Sequence, residues 1–150
     1  MKIGLLKEED IPACIELGWL MHGESALNDI KFDLKKMRTI AYACISHSDW
    51  FCCTAKINDS VIGMMVGLIG EYWFSNERYA MDLALYVHPE FRGSSAAVRL
   101  LKEFTGWAST QNIKQIRCGE TTRIRPEATA SLYKKMGFID GGQIFIRPVH

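Results

Sequence analysis

The chain has no block of five like charges and a net charge of only +1 over 150 residues. Neither a nucleic-acid footprint nor a polybasic membrane anchor is therefore visible. It also lacks Gly-x-x-x-x-Gly-Lys-Ser/Thr and Gly-x-Gly-x-x-Gly, the two glycine patterns that most directly announce a nucleotide site. Its five cysteines, Cys14, Cys44, Cys52, Cys53 and Cys118, are odd in number and show no Cys-x-x-Cys spacing. That argues against a disulfide framework and against a zinc ribbon. Cys52-Cys53 lies in an apolar stretch and reads as a pair of small hydrophobes. The start, MKIGLLKEED, carries no apolar export segment, so a reducing cytoplasm is expected. The longest apolar run, Val61 to Gly70, is interrupted by three glycines and falls short of the roughly 18 residues of a membrane span. What remains is a globular composition, 48% hydrophobic and 23% charged, long enough for one domain over residues 1–150 with its own core.

Periodicity divides the chain in order. Lys2 to Leu6 reads as a short strand. Ile11, Ile15 and Leu17 follow the acidic first turn Glu8-Glu9-Asp10 and mark a helix ending near His22-Gly23. Leu34, Met37, Ile40, Ala41, Cys44 and Ile45 mark a second. Between them a polar loop carries Glu24, Ser25, Asn28 and Asp29. Trp50 to Ile57, the turn Asn58-Asp59-Ser60 and Val61 to Ile69 predict a hairpin. A further antiparallel step through Gly70 to Asn76 leads into a strand at Tyr79 to Val87.

That strand opens the most informative stretch, Tyr79 to Phe104. It is apolar almost throughout and stops at His88-Pro89. Arg92, Gly93, Ser94, Ser95, Ala96 and Ala97 follow, and then Val98, Leu100, Leu101 and Phe104 place apolar groups on one helix face. A helix N-terminus has backbone N–H groups without intrahelical partners, and small residues let a phosphate approach them. Arg92 adds a full charge there. Ile113 to Cys118 then reads as a strand, parallel to the Tyr79–Val87 strand through a right-handed crossover.

The six loop residues resemble the acetyl-coenzyme A motif of the GNAT family of N-acetyltransferases, Arg/Gln-x-x-Gly-x-Gly/Ala, with Ser95 at the central Gly position. Ala130-Ser131-Leu132-Tyr133-Lys134-Lys135-Met136-Gly137-Phe138 is similar to the same family's later helix, which ends in a Gly cap. One departure stands beside these matches. Where the family often has Asn, seven positions before the Tyr, this chain has Pro126. Pro suits a helix start but offers no side-chain amide, so Arg123 or Arg125 would have to supply that polar contact.

The resemblance implies an α/β fold with a mixed, mostly antiparallel twisted sheet of six to seven strands and helices on both faces. It implies acetyl-CoA as co-substrate, with no metal. The pantetheine arm would pair with Leu85, Tyr86 and Val87, and the pyrophosphate would sit on Arg92 to Ala97. The amine would attack the thioester directly, backbone N–H near Leu85 to Val87 would polarise the carbonyl, and Tyr133 would protonate the departing thiolate. The base is open between Asp82 and Glu71, with Glu120 behind them. His88 reads as a turn residue. Glu24, Asp29 and Asp33 with Trp50, Tyr72, Trp73 and Phe74 would suit a cationic amine, although aromatic residues in a meander are usually core. The acceptor is a small-molecule or protein amine. Neither nucleic acid nor membrane is an expected partner. A homodimer is expected, with the segment Gln143 to Pro148 as its edge strand. The alternatives are a non-catalytic acyl-CoA-binding or regulatory module on the same fold and a nucleotide-binding domain.

Overall fold

The structure, a computed structural model, describes residues 1–149. Its elements are β1 (Lys2–Leu5), α1 (Ile11–Glu24), α2 (Leu34–Ser46), β2 (Trp50–Ile57), β3 (Ser60–Glu71), β4 (Arg78–Val87), α3 (Ala96–Ser109), β5 (Gln115–Arg117) and α4 (Pro126–Lys135). The sheet runs in the order β1-β2-β3-β4-β5. Every pair is antiparallel except β4 with β5, which is parallel through α3.

Local chemistry explains most boundaries. Asn58 and Asp59, with φ of 50° and 66°, supply the left-handed pair that a tight hairpin needs between β2 and β3. Asp33 caps α2 by accepting the Lys36 N–H at 2.9 Å, which takes up one of the helix's unpaired donors. At the end of α4 the N–H groups of Gly137 and Phe138 donate to the carbonyls of Lys134 and Tyr133, closing the helix as the Gly-cap motif predicts.

The two faces of the sheet are covered separately, as expected from alternation along β2. Phe51, Cys53 and Ala55 point to a core completed by Leu100, Leu101 and Phe104 of α3 and by Tyr133 of α4. Cys52 points the other way, to Cys14 and Leu17 of α1 and Ala41 of α2. All five cysteines are free. Burial raises the Cys53 thiol to about 12, in line with a hydrophobic role.

Two expectations about strands are corrected. The step at Gly70 to Asn76 is not a separate strand, because β3 continues to Glu71 and residues 72–77 form the turn into β4. The segment Gln143 to Pro148 forms no strand: residues 139–149 carry no regular structure. The sheet has five strands among the described residues rather than six or seven, since a strand needs a ladder partner and this segment finds none.

Candidate active site

β4 and β5 pair at Tyr79–Gln115, Ala80–Ile116 and Met81–Arg117, and then part. Where the next pair would form, the Gly119 N–H donates instead to the side chain of Asp82, at 3.1 Å from Oδ1. Among the described residues no strand pairs with the rest of β4 on this side, so its backbone groups there face a V-shaped opening. The vertex of the V coincides with a bulge. Gly67 of β3 pairs with Asp82 and Val66 pairs with Ala84, which leaves Leu83 as an extra residue. Bulges re-aim backbone groups, so the Leu83 backbone leaves the regular ladder at the vertex.

Gly67 also sets how closely the sheet can be approached at this point. A Cβ there would lie 2.2 Å from Phe104 Cε1 and 2.9 Å from the Met81 carbonyl oxygen. Only glycine lets Phe104 of α3 seat against the bulge. An isolated glycine inside a strand pattern is the sequence signal that marks such a bulge.

Tyr133 reaches the vertex from α4. Its hydroxyl is 3.3 Å from Asp82 Oδ2 and 3.4 Å from the Gly119 carbonyl oxygen. Burial raises the Asp82 carboxyl, opposed by the hydrogen bonds it accepts from Gly119 and Tyr133. Burial raises the Tyr133 phenol strongly, and the Asp82 charge adds to the rise. The structure thus joins two residues singled out separately in the sequence. It does not bring Glu71 to them: Glu71 pairs with Arg78, four ladder pairs from the Gly67–Asp82 pair, about 13 Å along the strand. Glu120 is also engaged elsewhere, bridging to Arg123 at 2.6 Å and accepting its backbone N–H at 2.8 Å. That bridge occupies the Arg123 guanidinium considered above for the cofactor contact. His88 accepts the Glu90 N–H at Nδ1, as a turn residue does.

Beyond Val87 the chain makes a single tight turn at Pro89–Phe91 and enters the loop Arg92 to Ala97. Gly93 takes φ +88°, a conformation that favours glycine. Ser95, which stands at the family's central Gly position, has φ −78°, so the substitution carries no backbone strain. Ser94 Oγ accepts the Ala96 N–H at 3.3 Å, and the N–H groups of the first turn of α3 lack i−4 carbonyls. The loop fits a phosphate, and the unpaired edge of β4 fits an amide-bearing arm.

Arg92 is shared. Its guanidinium lies 2.5 Å from Glu24 Oε2 at the end of α1 and 5.5 Å from the centroid of the Tyr86 ring. The Tyr86 hydroxyl is buried without a hydrogen-bond partner among the described residues, and burial followed by the Glu24 charge raises its pKa. No spacing rule links Glu24 to Arg92, and the sequence reading missed the pair. The acidic and aromatic groups considered for an amine cleft are dispersed. Asp33 caps α2, while Trp73 is 95% exposed. Tyr72 helps Tyr79 hold Arg117, whose guanidinium carbon lies 5.4 and 4.5 Å from the two ring centroids. Among the described residues no group of three His, Cys, Asp or Glu is placed to hold a metal ion. An open groove of about 690 Å³ between α1 and α2 is lined by Glu8, Pro12, Arg38 and Tyr42 among others, away from the vertex.

A splayed parallel pair, a small-residue loop at a helix N-terminus and a phenol at the vertex define the acyl-CoA acyltransferase class of fold. The family model of the acetyltransferase (GNAT) domain matches residues 48–140, and the chain belongs to that family. It is an acetyl-CoA-dependent N-acetyltransferase by this membership. No curated protein sequence matches. Among solved structures, the fold is similar to that of AAC(6')-Iy in complex with the bisubstrate analogue CoA-S-monomethyl-acetylneamine, with a TM-score of 0.80 at 10% identity over 99% of this chain and 97% of that one. An aminoglycoside acetyltransferase from an uncultured soil metagenomic sample gives 0.73 at 14% identity, covering 99% and 95%. The ribosomal-protein-alanine N-acetyltransferase of Brucella melitensis biovar Abortus 2308 gives 0.71 at 14% identity, covering 99% and 100%.

Proposed function

We propose that this protein, acting as one domain over residues 1–150, transfers the acetyl group of acetyl-CoA directly to a primary amine of a small molecule or a protein. The observation that carries this reading is the Tyr133 hydroxyl at the point where β4 and β5 separate. A thioester carried into the V by an arm lying along β4 has its sulfur end near that phenol, and its phosphates at Arg92 to Ala97. The phenol is a neutral hydrogen-bond donor at neutral pH. It suits thiolate loss, and binding aligns the amine for attack. The unpaired backbone at the Leu83 bulge is the nearest source of a donor for the carbonyl oxygen.

Solved structures with this fold include enzymes named for aminoglycosides and for ribosomal-protein alanine. Both acceptor types are amines. Five free thiols fit a reducing cytoplasm. A homodimer is proposed through residues 139–149, where Ile144, Phe145 and Ile146 are all exposed; exposed apolar side chains in such a run favour burial against another surface.

The test is titration calorimetry with acetyl-CoA set beside free CoA, ATP and NAD, followed by an amine panel. Selective acetyl-CoA binding and CoA release with at least one amine are expected. Binding without turnover over a broad panel would leave only an acyl-CoA-binding module, and tighter ATP or NAD binding would replace the reading altogether.

A further inference from the structure

The Tyr133 hydroxyl has one proton and two acceptors within reach, Asp82 Oδ2 and the Gly119 carbonyl. Asp82 is itself tied to the Gly119 N–H through its other oxygen. If Tyr133 alone protonated a departing thiolate, a phenolate would form beside the half-buried Asp82 carboxylate. Two negative charges at that separation repel, which is why neighbouring acids resist ionising together. Burial raises Asp82 against the lowering hydrogen bonds from Gly119 and Tyr133, and burial and then the Asp82 charge raise Tyr133. Replacing the Tyr133 proton in the same event avoids that pair of charges.

We propose that Asp82 and Tyr133 form a two-member proton relay, in which Asp82 carries the proton and Tyr133 delivers it. The inference rests on the acetyl-transfer reading above and gives Asp82 a role other than amine base. In the relay Asp82 acts from its protonated form, which burial favours. As the C–S bond of the thioester breaks and leaves its electron pair on sulfur, Tyr133 gives its O–H proton to that sulfur, and Asp82 gives its proton to the Tyr133 oxygen. Asp82 is left as the carboxylate accepting from Tyr133, the arrangement seen in the structure, and a proton from water restores the acid. The amine's protons leave to solvent.

The other titratable groups facing the pair, Cys118 and Glu120, come from the segment that follows β5. The Cys118 thiol, raised by burial and then by the Asp82 charge, is neutral at neutral pH. Glu120 is held by Arg123, which offsets its charge. Asp82 is thus the acid in this cluster placed to exchange a proton with Tyr133.

Two measurements on the full-length protein test the relay. The first is a carboxyl ¹³C NMR titration of the ligand-free protein, which needs no change at Asp82. Asp82 is expected to titrate above the ordinary carboxylate range and to shift in Tyr133→Phe. The second is acetyl transfer to hydroxylamine, which is already neutral through the neutral range, so the nucleophile's own titration drops out. Wild-type kcat is expected to fall as pH rises through the Asp82 titration. Asp82→Asn, which keeps an acceptor for Gly119, is expected to lose that limb and at least about tenfold in kcat, and Tyr133→Phe about a hundredfold. Ordinary titration of Asp82, or a wild-type profile in Asp82→Asn, overturns the relay and leaves acetyl transfer standing. Failure of the wild type to form acetohydroxamate at any pH, together with silence on the amine panel, removes acetyl transfer itself and the relay with it.

Discussion

At Arg92 the side chain that the loop sequence assigns to phosphate is already paired. The Glu24 carboxylate takes its charge, so a bound pyrophosphate would compete with an ion pair whose members are only partly exposed. Glu24→Gln is therefore expected to tighten acetyl-CoA binding by about two- to fivefold and Arg92→Ala to weaken it by a similar factor. Calorimetry at one salt concentration checks both, and a Glu24→Gln variant that binds more weakly would mean that Glu24 instead positions Arg92. Asp82 has its own signature at this scale. Burial raises its folded pKa above the ordinary 3.8, so the folded state holds the proton more tightly than the unfolded chain. That contribution is complete below the unfolded value and is lost as pH rises through the folded one. The stability of wild type relative to Asp82→Asn should accordingly fall as pH rises above the ordinary carboxylate range, measured by denaturant unfolding at each pH; a difference independent of pH would show that Asp82 is not raised.

Among the elements, α3 and β4 were legible because periodicity alone separates a strand stopping at Pro89 from a helix with Leu100, Leu101 and Phe104 on one face. The loop between them was legible because its run of small residues, Gly93 to Ala97, continues neither the strand nor the helix pattern. The bulge at Leu83 was signalled only by Gly67 inside a strand pattern, and its position was not legible. It depends on the register of β4 against β3, which is set by pairing between residues far apart in sequence. Gly67 links the two levels. Gly67→Ala puts a methyl group onto Phe104 and the Met81 carbonyl, and is expected to cost about 1–3 kcal/mol through forced displacement of α3 or the bulge. A lowered denaturation midpoint with weakened acetyl-CoA binding would show that the contact supports the site, whereas unchanged stability would mean that Phe104 yields freely.

For the whole molecule, the least satisfied feature is the C-terminal run. Ile139, Ile144, Phe145, Ile146 and Val149 are 70–94% exposed, more apolar surface than a short unpaired segment normally leaves in water. Deleting residues 140–150 is expected to convert the proposed dimer to a monomer while the five-stranded sheet stays folded, read by gel filtration and circular dichroism. A monomer at full length would remove the dimer.

The sequence by itself determined the order of strands and helices, the parallel crossover, the small-residue loop at a helix start and the phenol on the last helix. These follow from local periodicity, turn chemistry and motif spacing, which act over a few residues. Tertiary structure decided that β4 and β5 separate at Asp82, that Asp82 meets Tyr133 rather than Glu71, and that Arg92 is claimed by Glu24. Each of these depends on side chains brought together by the register of the sheet and by packing on its two faces. The energies involved come from burial and from charges at a few ångströms, which no one-dimensional pattern encodes.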